Sequence, residues 1–119
     1  MERLNKQDLQ EIYEKCMKLI KKMPPGFIIF TKLKNCGWCI YEEDVIEIDY
    51  RKDLIRTAYH ECVHYLYPDW TEKQVIYAES RLINNIPVLD TILFLKRILN
   101  KACIYAKQEQ LTSKKNIKK

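Results

Sequence analysis

Residues 60–80 read His60-Glu61-Cys62-Val63-His64-Tyr65-Leu66-Tyr67-Pro68-Asp69-Trp70-Thr71-Glu72-Lys73-Gln74-Val75-Ile76-Tyr77-Ala78-Glu79-Ser80. Two helices meeting at a short turn are written into this stretch. Pro68 stops the first. Thr71 has Gln74 three residues on, the pattern of a capping box, so the second should begin at Glu72. Working outward, Asp53 can cap the first helix, which then starts at Leu54. The second should run to about Leu82, where Asn84-Asn85 breaks it.

Further upstream, Leu9, Ile12, Tyr13, Cys16, Leu19, Ile20 and Met23 recur at helical spacing until Pro24-Pro25-Gly26 ends the pattern. From Phe27 to Tyr50 the composition turns β-branched and aromatic. Residues 27–31, 38–41 and 45–50 read as three strands, with turn residues Asn35 to Gly37 between the first two. Downstream, Pro87 suits the first turn of a last helix extending to about Ala106. The expected fold is therefore α+β: an N-terminal helix, a small three-stranded antiparallel sheet, the helix bearing both histidines, a glutamate-bearing helix and a C-terminal helix. At 119 residues there is room for one domain, 1–119, with a single modest core.

The formal net charge is +5. Lys107, Lys114, Lys115, Lys118 and Lys119 face only Glu109 in the tail, so nearly all of that excess is terminal. The body carries no basic stripe, and a solvated tail accounts for the lysines without a specific nucleic-acid site. The N-terminus runs straight into an amphipathic pattern, unlike a secretory signal. Ile86 to Tyr105 is the most apolar region, but Asp90, Lys96, Arg97, Asn100 and Lys101 interrupt it, too often for a membrane span. Five scattered cysteines, an odd number, fit a reducing cytoplasm better than a disulfide framework.

The chain has only two histidines, both in His60-Glu61-Cys62-Val63-His64. Four apart on a helix, they share a face and can present ring nitrogens to one ion. Glu61 lies beside that face, where it can take a proton from a metal-bound water and pass it to a leaving group. A chance match on a helix surface is the bland alternative. A catalytic zinc site needs a third protein ligand, and with no histidine left it must be a carboxylate. Glu79 and Glu72 are the candidates, with Asp69 behind them. In an antiparallel helix pair Glu79 lies about 10 Å beyond Glu72 along the axis, and the backward lean of helical side chains brings it level with the imidazoles. That ranks Glu79 first; Glu72, the alternative ligand, also has a metal-free explanation as a first-turn carboxylate favouring the helix dipole.

His60-Glu61-Cys62-Val63-His64 followed by a second helix bearing a glutamate resembles the gluzincin metallopeptidases. In so short a chain the similarity is closest to the minigluzincins, and residues 60–80 carry most of it. The resemblance implies a Zn2+-dependent peptidase with His60, His64 and the second-helix glutamate as ligands and Glu61 as general base. The interval from His64 to Glu79 is shorter than in larger gluzincins. Those relatives also steady the oxyanion with a His or Tyr, which would fall here to Tyr65, Tyr67 or Tyr77. The resemblance further implies latency, with about 86–119 covering the cleft of its own chain or, by helix exchange in a homodimer, of a neighbour. A last helix that merely completes the core is the competing reading.

Cys36-Gly37-Trp38-Cys39 has thioredoxin-like spacing but falls in an expected hairpin, where no helix N-terminus activates a thiol, so structural cysteines are the simpler reading. Cys62 points away from the metal face into the core. Cys103 could reach the zinc only if the last helix blocks the cleft. The sequence thus points to a zinc metallopeptidase acting on peptide or protein substrates laid along a sheet edge. Two rivals stand beside it: a zinc-binding regulatory protein without peptidase activity, and a SprT-like nucleic-acid-associated protease, which commonly takes a third histidine.

Overall fold

The first helix of the computed structural model, which describes residues 3–33 and 37–117, is set by a reciprocal cap. Asn5 Oδ1 accepts from the Asp8 backbone N–H at 2.8 Å, and Asp8 Oδ2 accepts from Asn5 N–H at 2.9 Å. α1 (Lys6–Lys22) then buries Leu9, Ile12, Tyr13, Cys16, Leu19 and Ile20 along one stripe. Cations from the C-terminal helix meet two of its carbonyls, one in the body and one at the C-cap: Arg97 Nη1 donates to Met17 O at 3.2 Å, and Lys101 Nζ to Met23 O at 2.6 Å. The expected stop at Pro24-Pro25-Gly26 holds, whereas the Asn5 cap is not among the features read from the sequence.

A short 3-10 turn, Pro25–Phe27, leads into β1 (Ile28–Thr31); β2 (Gly37–Ile40) and β3 (Val45–Asp49) follow. The three strands are present, but the sheet is mixed, not antiparallel. Its order is β1-β3-β2, with β1 parallel to β3 and β2 antiparallel to β3. The reason lies at Asp49. Its buried carboxylate accepts from the Leu33 N–H at 2.9 Å, and Lys52 Nζ donates to Leu33 O at 3.1 Å. The chain leaving β1 is thereby tied to the end of β3 and reaches the far side of that strand, instead of turning back beside β1. Arg51 locks the same carboxylate through Nε at 2.9 Å and Nη2 at 2.7 Å, holding it far below the usual carboxylate range. β3, the central strand, buries Ile46 and Ile48. β2 is left at the edge beside the helices. The expected turn at Asn35 lies outside the described residues, as does Cys36.

α2 (Leu54–Leu66) and α3 (Glu72–Asn85) form the expected pair across the Tyr67–Thr71 turn. Thr71 and Gln74 make the capping box, Gln74 N–H to Thr71 Oγ1 at 3.2 Å and Thr71 N–H to Gln74 Oε1 at 2.7 Å. Asp53 stands at the N-cap of α2 but makes no capping hydrogen bond; with φ of 26° its side chain turns to Arg56 Nε at 3.4 Å. The pair buries Ala58, Cys62 and Val63 of α2 and Val75, Ala78 and Leu82 of α3.

α4 (Val88–Ile117) is longer than expected: the lysine-rich tail past Ala106 continues the helix to Ile117, through a run with no glycine or proline to end it. Phe94, Ile98 and Ala102 seat it in the core, where Phe94 stacks on Tyr59 of α2 with ring centroids 4.3 Å apart. Among the described residues, no helix is long and apolar enough to cross a membrane.

Candidate metal centre

Helix geometry puts Arg56, His60 and His64 on successive turns of one face of α2. The two imidazoles stand edge to face, with centroids 4.7 Å apart. Glu72, in the first turn of α3, reaches across and brings Oε1 to 2.7 Å from His60 Nε2 and Oε2 to 2.6 Å from His64 Nε2. Among the described residues, His60, His64 and Glu72 form the one group able to hold a metal ion, with a ligand atom from each within 4.8 Å of the others.

Glu79 takes a different position from the one that ranking by helix level assigns it. Its side chain is buried and its Oε1 lies 3.1 Å from His60 Nδ1, on the far side of the ring from Glu72. The ranking by helix level underrates the reach of Glu72, which starts in the first turn of α3 and still brings one oxygen to each imidazole. Asp69, the weaker candidate, lies in the exposed turn outside the group.

The donor set can be tested against zinc on its chemistry. Two imidazole nitrogens and one carboxylate oxygen make three protein ligands and leave a fourth position open, the pattern of a catalytic zinc. Glu79 also supplies what such a ligand needs from behind. Its Oε1 stands 3.1 Å from His60 Nδ1, where it would accept the Nδ1 proton once Nε2 is given to a metal. The residues fit the ion.

Glu61 is 5% exposed and lines the same cavity as His60, His64 and Glu72. Burial raises its pKa to about 7, with the charges of Glu72 and Glu79 adding to the shift and His60 opposing it. Burial also disfavours charge on His60, but the hydrogen bond to Glu79 and the nearby carboxylates outweigh it and raise that pKa.

The cavity, about 390 Å³, is completed by Gly37, Trp38 and Cys39 of the edge strand and by Pro68 and Trp70 of the α2–α3 turn. A second hollow of about 400 Å³ shares His60, Glu61 and Glu72 and extends to Asp53, Arg56 and Glu79. Among the described residues, neither is lined by α4. Gly37 makes the close approach of sheet to helix feasible: a Cβ there would sit 2.8 Å from both Glu47 O and Thr57 Cγ2, and 3.4 Å from Glu61 Cγ.

Of the three tyrosines considered for the oxyanion, Tyr65 and Tyr77 have hydroxyls engaged with other partners, and Tyr67 has its ring stacked at the edge of the cavity. Tyr65 Oη donates to Asp44 Oδ1 at 2.5 Å, which raises its pKa to about 12. Tyr67 stacks on Trp70 at 4.1 Å, and Tyr77 Oη accepts from Leu4 N–H at 3.3 Å. Arg56 is the residue that sequence reading missed, although its position four before His60 is a signal for it. Its guanidinium lies 4.0 Å from Glu79 Oε2 and 3.3 Å from Ser80 Oγ. Cys62 is fully buried against Cys16, whose hydrogen bond and the surrounding burial push the Cys62 thiol well up, as suits a core cysteine. Cys103 is exposed on α4. No protein family, curated protein or solved structure matches this chain, so any functional reading rests on the geometry of this centre.

Proposed function

We propose that the protein is a zinc-dependent peptide hydrolase with His60, His64 and Glu72 as metal ligands and Glu61 as general base. The observation that carries this reading is the convergence of Glu72 on the Nε2 atoms of both histidines with Glu61 in the same cavity. Zinc held there supplies Lewis-acid polarisation of the scissile carbonyl and lowers the pKa of a bound water to about 7. The resemblance of residues 60–80 to the minigluzincins points the same way.

The remaining steps belong to the chain itself. The outer edge of β2 has no strand partner among the described residues and borders the cavity. An extended peptide can pair with it through backbone hydrogen bonds, which lays one peptide bond across the centre. As water adds to the carbonyl carbon, the Glu61 carboxylate accepts its proton. The C–N bond then breaks, and Glu61 returns the proton to the departing amine, leaving a carboxylic acid and an amine. A carboxyl whose pKa lies near 7 is matched to both halves of that task. Glu79 keeps His60 in the required tautomer and orientation, and Arg56 bears on the Glu79 carboxylate.

The test is hydrolysis of a denatured protein such as casein by the zinc-loaded full chain. We expect slow cleavage that a chelator stops and Glu61→Gln abolishes while zinc stays bound. Cleavage by Glu61→Gln at the rate of the parent would remove Glu61 as the base.

A further inference from the structure

α4 faces the core through Phe94, Ile98 and Ala102, yet its outer face is apolar as well. Of the ten large hydrophobic side chains exposed among the described residues, seven lie on this helix. At 100° per residue, Val88, Leu89, Ile92, Leu93 and Leu99 fall within about 140° of arc. Leu111 continues the stripe to a length of about 35 Å. Val88 is 77% and Leu89 66% exposed, too open to be the fringe of the core. Lys96 and Lys107 share the stripe, whereas Asp90 and Glu109, the two acids of α4, fall outside its arc.

Beside this stripe α1 runs parallel to α4, as the contacts of Tyr13 with Asp90, Met17 with Arg97 and Met23 with Lys101 require. Two adjoining hollows open between the helices. One, about 410 Å³, is lined by Met17, Leu93, Lys96, Arg97 and Asn100. The other, about 270 Å³, is lined by Ile20, Lys21, Arg97, Asn100 and Lys101. No carboxylate lines either, and among the described residues none of their cations is in an ion pair. Arg97 and Lys101 each place one N–H on a backbone carbonyl, out of five and three donors. The sequence shows no basic stripe in the body because these cations come from two helices.

An apolar stripe of this length marks an interaction surface. A second copy of the chain fits it poorly: a twofold contact would desolvate Lys96 and Lys107 against a face that offers no acid in return. We propose that this face of α4, with the adjoining end of α1, docks on an anionic lipid bilayer. The leucines enter the acyl boundary, and headgroup phosphates occupy the two cationic hollows. Leu93 and Lys96 join the two parts, and lysine stems lie along apolar surface while their ammonium groups stay at headgroup level. α4 is not apolar enough to cross the bilayer, so it lies in the plane. Beyond Leu111 the sequence adds Lys114, Lys115, Lys118 and Lys119 and no acid, which strengthens the attraction. None of these residues lines the hollows at the metal centre, so the docking face and that centre are separate surfaces.

The test is flotation of the full chain with vesicles of phosphatidylcholine alone and with about one-third phosphatidylglycerol, at low and high salt. We expect binding at least about tenfold tighter to the anionic vesicles, weakened by salt. Lys21→Glu with Lys96→Glu, and separately Leu89→Ser with Leu93→Ser, alter exposed side chains and should leave circular dichroism unchanged. Each pair should lower binding about tenfold or more. Equal binding to the two vesicles overturns the proposal. Binding of the leucine variant at the level of the parent means adsorption by charge alone and overturns it too. Displacement by inorganic phosphate at constant ionic strength would make free phosphate the ligand, with the same consequence. In sedimentation velocity without lipid the chain should be a monomer. A dimer dissociated by Leu89→Ser with Leu93→Ser would assign the stripe to a second copy instead. Docking requires neither zinc nor cleavage, so it stands or falls apart from the hydrolase reading.

Discussion

His60 Nδ1 and Glu79 Oε1 lie 3.1 Å apart, on the opposite side of the imidazole from the 2.7 Å contact between His60 Nε2 and Glu72 Oε1. One ring thus stands between two glutamates, Glu72 on its Nε2 side and Glu79 on its Nδ1 side, and the zinc proposal gives them different roles. Glu72→Ala should abolish tight zinc binding, whereas Glu79→Gln should retain zinc with an affinity lowered about 10- to 100-fold, the usual effect of losing such a partner. Competition against a chromogenic chelator measures both. Loss of zinc by Glu79→Gln with retention by Glu72→Ala would reverse the assignment.

The sequence made the helix pair, its capping box and the histidine face legible because local rules govern them: i to i+4 spacing, Thr71 with Gln74, Pro68 as a stop. What it hid was non-local. The mixed sheet depends on Asp49 holding Leu33 across the end of β3, a contact that no strand pattern encodes. Which glutamate lies on the Nε2 side of His60 depends on side-chain reach between α2 and α3, whereas rise per residue gives only height along the axis. Trp38 and Trp70 meet at one cavity through the β2 edge, which again follows from the strand order.

Glu61 gives a pH dependence with a definite sign. Its pKa rises from 4.5 in the unfolded chain to about 7 in the metal-free fold, so the native state holds the proton more tightly. Stability is therefore highest below the unfolded value and falls as pH rises from about 4.5 to 7. The full shift corresponds to about 3 kcal/mol. Glu61→Gln should accordingly stabilise the metal-free protein by about that amount at pH 8 and by much less at pH 5. Urea midpoints at the two pH values check this, and equal midpoint gains at both would contradict it.

Gly37 is where the sheet touches the helix carrying Glu61. Gly37→Ala places a methyl 2.8 Å from the Glu47 carbonyl and from Thr57 Cγ2, and backbone cannot yield as a flexible side-chain end would. We expect a loss of about 1–3 kcal/mol from overpacking, read as a lower urea midpoint. An unchanged midpoint would mean that β2 can move off α2 without cost.

The C-terminal helix is part of the core. Removing residues 86–119 strips Ile86, Phe94, Ile98 and Ala102 and uncovers the face of Tyr59 that Phe94 stacks on. Truncation of one buried Phe to Ala costs about 3–5 kcal/mol, against a whole-domain stability of about 5–15 kcal/mol. The shortened chain should lose its near-UV circular dichroism and bind a hydrophobic dye. A soluble, cooperatively unfolding product that gains peptide cleavage would instead establish the last helix as a detachable block over the cleft.

The central claim is that His60, His64 and Glu72 hold zinc, and it is tested most directly by metal content. The full chain, purified without chelator and dialysed against metal-free buffer, should retain about one zinc per molecule, and Glu72→Ala none, with both proteins folded by circular dichroism. A folded parent chain that carries no zinc and takes up none on titration would show that the two histidines and Glu72 form only a hydrogen-bonded cluster, and the hydrolase account would fall with it.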